Sequence, residues 1–240
     1  MNMSVQAALD LLRHSEPTRR MSASARIYDD LRQRILSLEL PPGTSLLRSE
    51  LADKYEVSQT PLRDALQRLE QNGLVQVFPQ SRTLVTRIDV PKIHEAHFLR
   101  VALETEVVRH LARLDAQQRA RTVACARSVI EMQRAVTSET GQIRLFQELD
   151  EHFHRVLFEA LDHDSLHGLI RSRSGHLDRV RRLQVHSPEK IELILAGHEA
   201  ILAGVASGDE DAAMEGMRAH LRKAPNWVDE FRASHGDYFA

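Results

Sequence analysis

The stretch Val57-Ser58-Gln59-Thr60-Pro61-Leu62-Arg63-Asp64-Ala65-Leu66-Gln67-Arg68-Leu69-Glu70-Gln71-Asn72-Gly73-Leu74-Val75 constrains the fold more than any other part of this chain. Leu62, Ala65, Leu66 and Leu69 recur at the spacing of a single buried helix face. Ser58 is a good N-cap, because its hydroxyl can accept from a free N–H of the first turn. Pro61 falls early in the helix, where little backbone bonding is lost. Gly73 sits where a left-handed residue ends a helix. Ser58, Gln59, Thr60 and Arg63 are left near the exposed N-terminal end, the end that a major-groove helix presents to bases and phosphates.

The flanking residues complete a winged helix-turn-helix over about residues 22–89. Ser24 can cap a first helix whose apolar residues include Ile27, Leu31, Ile35, Leu36 and Leu38, and Pro41-Pro42-Gly43 breaks it. A second helix, about Arg48 to Tyr55, buries Leu51, Ala52 and Tyr55, and a turn at Glu56-Val57 leads into the recognition helix. Leu74 to Phe78 and Thr83 to Ile88 alternate like two strands around the basic tip Pro79-Gln80-Ser81-Arg82. Residues 1–21 read as a mobile or weakly helical polar extension.

Ile27-Tyr28-Asp29-Asp30-Leu31, Leu40-Pro41-Pro42-Gly43 and Val57-Ser58-Gln59-Thr60-Pro61-Leu62-Arg63 resemble the GntR superfamily of bacterial repressors. The resemblance implies that Arg63 contacts DNA alongside Ser58 and Thr60. In that family Arg usually follows the Ser of this motif, and here Gln59 stands there. The usual wing tip carries Gly, and here Arg82 takes a nearby place. Gln reads adenine bidentately where Arg prefers guanine, so the operator should differ from the commonest ones. The formal net charge is only −2, so a DNA-binding reading rests on where Arg48, Arg63, Arg82 and Arg87 fall and not on bulk charge.

With 240 residues the chain is long enough for a second domain. It has no run of about 18 apolar residues, so no membrane span is expected. Its N-terminus lacks a basic region followed by an apolar core, so no secretory signal is expected either. Its single cysteine, Cys125, cannot form an internal disulfide, and it reads as a small core residue in a reducing cytoplasm. Residues 90–240 read as an all-α antiparallel bundle of about six helices. These cover about 91–114, 116–136, 143–161, 165–183, 187–207 and 209–222, with Trp227 and Phe231 in a last packing turn. The fold class is therefore mainly α.

Most of the 13 histidines have no spacing partner. Asp150 and His154 are i and i+4 and share one helix face. His198 and His220 lie near the inward edges of two further amphipathic helices. A carboxylate and three imidazoles on three helices could bind a divalent metal, although such pairs are common without one.

Arg100-Val101-Ala102-Leu103-Glu104, Asp150-Glu151-His152-Phe153-His154, His198-Glu199-Ala200-Ile201-Leu202, Gly208-Asp209 and Met217-Arg218-Ala219-His220-Leu221 resemble the FadR-like subfamily, in the effector domain called FCD. The resemblance covers about residues 92–223. It implies that Asp150, His154, His198 and His220 are metal ligands and that Arg100 reaches a ligand carboxylate. His163 departs from the pattern, which usually has Asn there.

The run His176-Leu177-Asp178-Arg179-Val180-Arg181-Arg182 reads first as a solvated basic helix face, and second as a source of one cavity-facing arginine, Arg179. Two function classes follow. One is a regulator, a repressor, that binds double-stranded operator DNA as a homodimer in the cytoplasm. It would be neither an enzyme nor a membrane protein. A small organic acid would control it at a centre of zinc, nickel, manganese or iron. The other is a metal-dependent hydrolase fused to a DNA-binding domain, with Glu104, Glu151 or Glu199 as general base. No His-Glu-x-x-His motif supports the second class.

Overall fold

The computed structural model describes residues 21–78, 82–137, 143–183, 188–222 and 228–240. The expected extension up to residue 20, the hairpin tip Pro79-Gln80-Ser81, Ser187 and Trp227 lie outside the described residues. The chain divides into two compact units. One holds residues 97–137, 143–170 and 188–222, and the other holds 21–78, 82–96, 171–183 and 228–240.

The second unit contains the winged helix. Its elements are α1 (Ala23–Leu36), β1 (Ser45–Leu46), α2 (Arg48–Tyr55), α3 (Gln59–Gln71), β2 (Val75–Val77) and β3 (Thr83–Val85). Ser22, not Ser24, caps α1, its hydroxyl accepting from Ala25 N–H. Ser58 occupies the N-cap position of α3, but its side chain makes no capping bond and is left exposed. Glu56 takes a left-handed φ of 52° at the end of α2 and so makes the tight turn into α3. Leu62, Leu66 and Leu69 are buried against Ile27, Leu31 and Ile35. The strand order is β1-β3-β2, with Val75 opposite Val85 and Val77 opposite Thr83. At two residues, β1 is too short to show an alternation in the sequence.

The expected helix over 165–183 is two helices, α7 (Asp164–Arg173) and α8 (Gly175–Leu183). At the start of α8 a Cβ at Gly175 would stand 2.6 Å from Leu74 Cδ2, so a side chain there would displace the Leu74 methyl. In α8 Arg179 is fully buried, which overturns the solvated-face reading of this run at that residue. Its guanidinium donates to the Thr86 carbonyl and, at 3.2 Å, to the Gly175 carbonyl, and it lies 3.0 Å from His176 Nδ1. His176 Nδ1 also accepts from Asp89 N–H at 3.0 Å. The unit ends with α11 (Val228–Ser234), where Phe231 is half-buried, and with a 3₁₀ turn (Gly236–Tyr238) followed by Phe239, which bridges to Ile88.

The first unit is helical. It comprises α4 (Val90–Arg113) from His97 onward, α5 (Ala116–Thr137), α6 (Ile143–Glu159), α7 up to Ile170, α9 (Pro188–Ser207) and α10 (Glu210–Leu221). Val108, Leu111, Ala126, Ile130, Phe146, Phe153, Leu157, Ile201, Leu202, Val205 and Met217 form its core. Cys125 is exposed, against the expectation of a core residue. The buried face of α5 runs through Thr122, Val123, Ala126, Val129, Ile130 and Gln133, and Cys125 falls on the other side. His163 is exposed in the turn before α7, where its carbonyl accepts from Leu166 N–H at 2.9 Å.

Candidate metal centre and DNA-facing helix

In the helical unit α6, α9 and α10 bring Asp150, His154, His198 and His220 together. Each offers one ligand atom, and the four atoms all lie within 4.8 Å of one another. Asp150, His154 and His198 are buried, and His220 is half-buried. His154 Nε2 lies 3.3 Å from His220 Nε2, and His198 Nε2 lies 3.4 Å from Asp150 Oδ1. Gly197 makes room for the group. A Cβ there would stand 2.6 Å from His220 Nδ1, so a side chain at 197 would push the His220 ring out of its place. Phe153 stacks on the His198 ring with centroids 3.8 Å apart and fixes its plane.

The donor set suits a divalent transition ion. Three imidazole nitrogens and a carboxylate oxygen are borderline ligands, and one ion would reconcile lone pairs that otherwise face each other. Burial first, then the neighbouring His198 and His154, holds the His220 imidazole well below its ordinary pKa, so it is neutral as a ligand must be.

Further groups surround the ligands. Arg100, on α4, is buried and donates through Nε to Glu104 Oε1 at 2.6 Å. The other oxygen of Glu104 meets His154 Nδ1 at 2.6 Å. Burial alone would raise the Glu104 carboxyl, but Arg100 and His154 hold it well below the usual carboxylate range. Gln133 Oε1, from α5, lies 3.1 Å from His198 Nδ1. His167, on α7, is buried beside Phe158, and burial followed by His154 pushes it down to about 4. Glu104 is held on both oxygens and so is unsuited to act as a general base, and Glu199 pairs with Arg134 at 3.5 Å.

In the other unit, Ser58, Gln59, Thr60 and Arg63 are exposed together on the first turns of α3. Arg48, the first residue of α2, is half-buried. Arg82 is exposed where the chain returns into β3, its guanidinium 5.6 Å over the Phe78 ring. Arg179 belongs to this unit, where its partners are the Thr86 and Gly175 carbonyls, the Thr86 hydroxyl and His176.

The family model of bacterial regulatory proteins, gntR family, matches residues 23–85, and that of the FCD domain matches residues 95–223. The chain belongs to the GntR family and carries an FCD domain. It is a DNA-binding transcriptional regulator. It is 36% identical over 214 residues to an uncharacterized HTH-type transcriptional regulator in an unstable DNA locus of Streptomyces ambofaciens, covering 89% of this chain and 88% of that one. It is 29% identical to the HTH-type transcriptional repressor RspR of Escherichia coli (strain K12), covering 90% and 92% of the two chains. Among solved structures, Escherichia coli McbR/YncC shares the fold with a TM-score of 0.67 at 18% identity, over 90% of this chain and all of that one. The FCD match includes residues 175–183, which form α8 in the unit that holds the winged helix.

Sequence reasoning missed Gln133 and Gly197. The first was visible as one polar residue in the stripe Ala126, Val129, Ile130 and Gln133. The second has no signal of its own, because its role depends on a helix that comes later in the chain.

Proposed function

We propose that this GntR-family regulator is a repressor that binds operator DNA as a homodimer in the cytoplasm and answers to a small carboxylate-bearing metabolite at a metal centre. Residues 22–89 bind the operator, and the helical residues within 90–240 bind the effector and dimerise. The convergence of Asp150, His154, His198 and His220 within 4.8 Å carries the proposal. These four residues would hold one zinc, nickel, manganese or iron ion. The bound ion would offer positive charge and open coordination positions to an organic acid. Arg100 would pair with the acid's carboxylate in a charge-assisted contact. On the DNA side, Ser58, Gln59, Thr60 and Arg63 would enter the major groove, with Arg48 and Arg82 on the phosphates.

The test combines metal analysis of the purified full-length protein with operator titrations in the presence and absence of small organic acids. His154→Ala and His198→Ala should each lose the metal and the effector response while operator binding survives. Arg63→Ala should weaken operator binding by about tenfold or more, with metal content unchanged. A wild-type protein that takes up no divalent metal removes the centre. A folded Arg63→Ala protein with unchanged operator affinity removes the recognition helix.

A further inference from the structure

We infer that Glu104 and Gln133 are positioning residues of the metal centre, each fixing which nitrogen of one histidine faces the ligand cluster. The inference rests on the metal reading above and adds two residues that bind no metal themselves.

A neutral imidazole has one N–H and one lone pair, and the partner of one nitrogen decides the role of the other. Glu104 is ionised, because Arg100 donates to its Oε1 at 2.6 Å. Its Oε2 can therefore only accept, and the proton of the 2.6 Å contact sits on His154 Nδ1. The lone pair of His154 is then on Nε2, the nitrogen 3.3 Å from His220 Nε2 at the centre of the cluster. Gln133 Oε1 accepts in the same way from His198 Nδ1 at 3.1 Å and turns the His198 Nε2 lone pair toward Asp150. Gln133 is fully buried on α5 and Glu104 nearly so on α4, helices that supply none of the four ligands. The two supports differ in charge. Glu104 also joins Arg100 to a metal ligand, so a carboxylate arriving at Arg100 acts on a side chain that already serves the metal.

Two measurements test this. The first is long-range ¹H–¹⁵N NMR of the imidazoles in wild-type, metal-free protein at about pH 8. His154 should carry its proton on Nδ1 with Nε2 unprotonated, and a proton on Nε2 overturns the assignment of Glu104. This readout needs no variant and no metal. The second is zinc affinity, by competition with a chromophoric chelator, for wild type, Glu104→Gln and Gln133→Leu. Each variant should bind zinc about 10–100-fold more weakly. Gln133→Leu adds no buried charge, so it tests the idea even if Glu104→Gln folds poorly. Wild-type zinc binding with unchanged affinity in both variants overturns the inference and leaves the metal reading standing. A wild-type protein that binds no zinc, nickel, manganese or iron overturns the metal reading itself.

Discussion

Two of the buried arginines, Arg100 in one compact unit and Arg179 in the other, solve the same problem differently. Arg100 in the helical unit is compensated by a full charge, with Glu104 at 2.6 Å. Arg179 in the winged-helix unit is more deeply buried, yet its guanidinium meets the carbonyls of Thr86 and Gly175, the Thr86 hydroxyl and the His176 ring. Burial pushes the Arg179 pKa down to about 10, with nearby Asp178 acting against it, so the side chain stays charged at neutral pH. The difference follows from what lies beyond each arginine. The second oxygen of Glu104 meets His154 Nδ1 at 2.6 Å, so the Arg100 pair adjoins the cluster of Asp150, His154, His198 and His220. The acceptors around Arg179 are mainly backbone. They tie α8 to the segment between β3 and α4 and serve the fold.

The largest effect should come from breaking the charged pair. Arg100→Met leaves the Glu104 carboxylate buried without its cation, which costs about 3–5 kcal/mol. Urea unfolding should show this loss. The double change Arg100→Met with Glu104→Met should recover most of it, because replacing both partners removes the orphaned charge. A cost below about 1 kcal/mol for the single change would show that the pair does not balance the interior of this unit.

Arg179→Met should cost less, about 2 kcal/mol, because it removes hydrogen bonds to carbonyls and leaves no naked charge behind. Hydrogen exchange should rise in α8 and around Thr86. Zinc uptake by the other unit should stay at the wild-type level. A loss of zinc uptake as large as that of His198→Ala would erase the contrast between the two arginines.

How far the sequence revealed these two sites depends on how local their causes are. The four candidate ligands lie at legible spacings on amphipathic helices, and α3 announces itself by its apolar face and Gly73. Ser22 rather than Ser24 caps α1 because two serines in three residues offer equivalent caps, and only the path of the chain chooses between them. Arg179 is hidden among four charged or polar neighbours in the run His176 to Arg182, where an amphipathic reading assigns it to water. What buries it is α8 lying against Leu74, which Gly175 permits, and that contact spans about a hundred residues of sequence. The roles of Glu104 and Gln133 are tertiary in the same sense, since each is defined by a histidine on another helix.

Acid should separate the two networks by the smallest but most specific margin. His176 accepts at Nδ1 from Asp89 N–H and also faces Arg179, while its Nε2 side bonds to the backbone of Gly73. It must therefore be neutral in the folded protein. Burial first, and then Arg179, pushes its pKa down from 6.5 to about 4. A histidine whose folded pKa lies below its unfolded value contributes stability that is fully present above about pH 6.5. That stability is lost as the pH falls toward about 4, because there the unfolded chain binds the proton that the folded chain refuses. The slope is on the order of 1 kcal/mol per pH unit for this one group. The Arg100–Glu104 pair adds a slope of its own only in the lower part of this window, below about pH 5, where the unfolded chain's Glu104 takes up a proton that the folded carboxylate refuses, and it does so equally in wild type and His176→Asn. His176→Asn keeps an acceptor near the Nδ1 position and has no proton to gain. Its stability at pH 7 should fall by about 1 kcal/mol, and its decline between pH 6.5 and 4 should be shallower than that of wild type by about one proton. Buried His167, pushed down to about 4 in the other unit, should leave a residual slope in both proteins. Equal slopes for wild type and His176→Asn, measured by urea unfolding across this range, would mean that His176 is not held neutral by Arg179 and its setting.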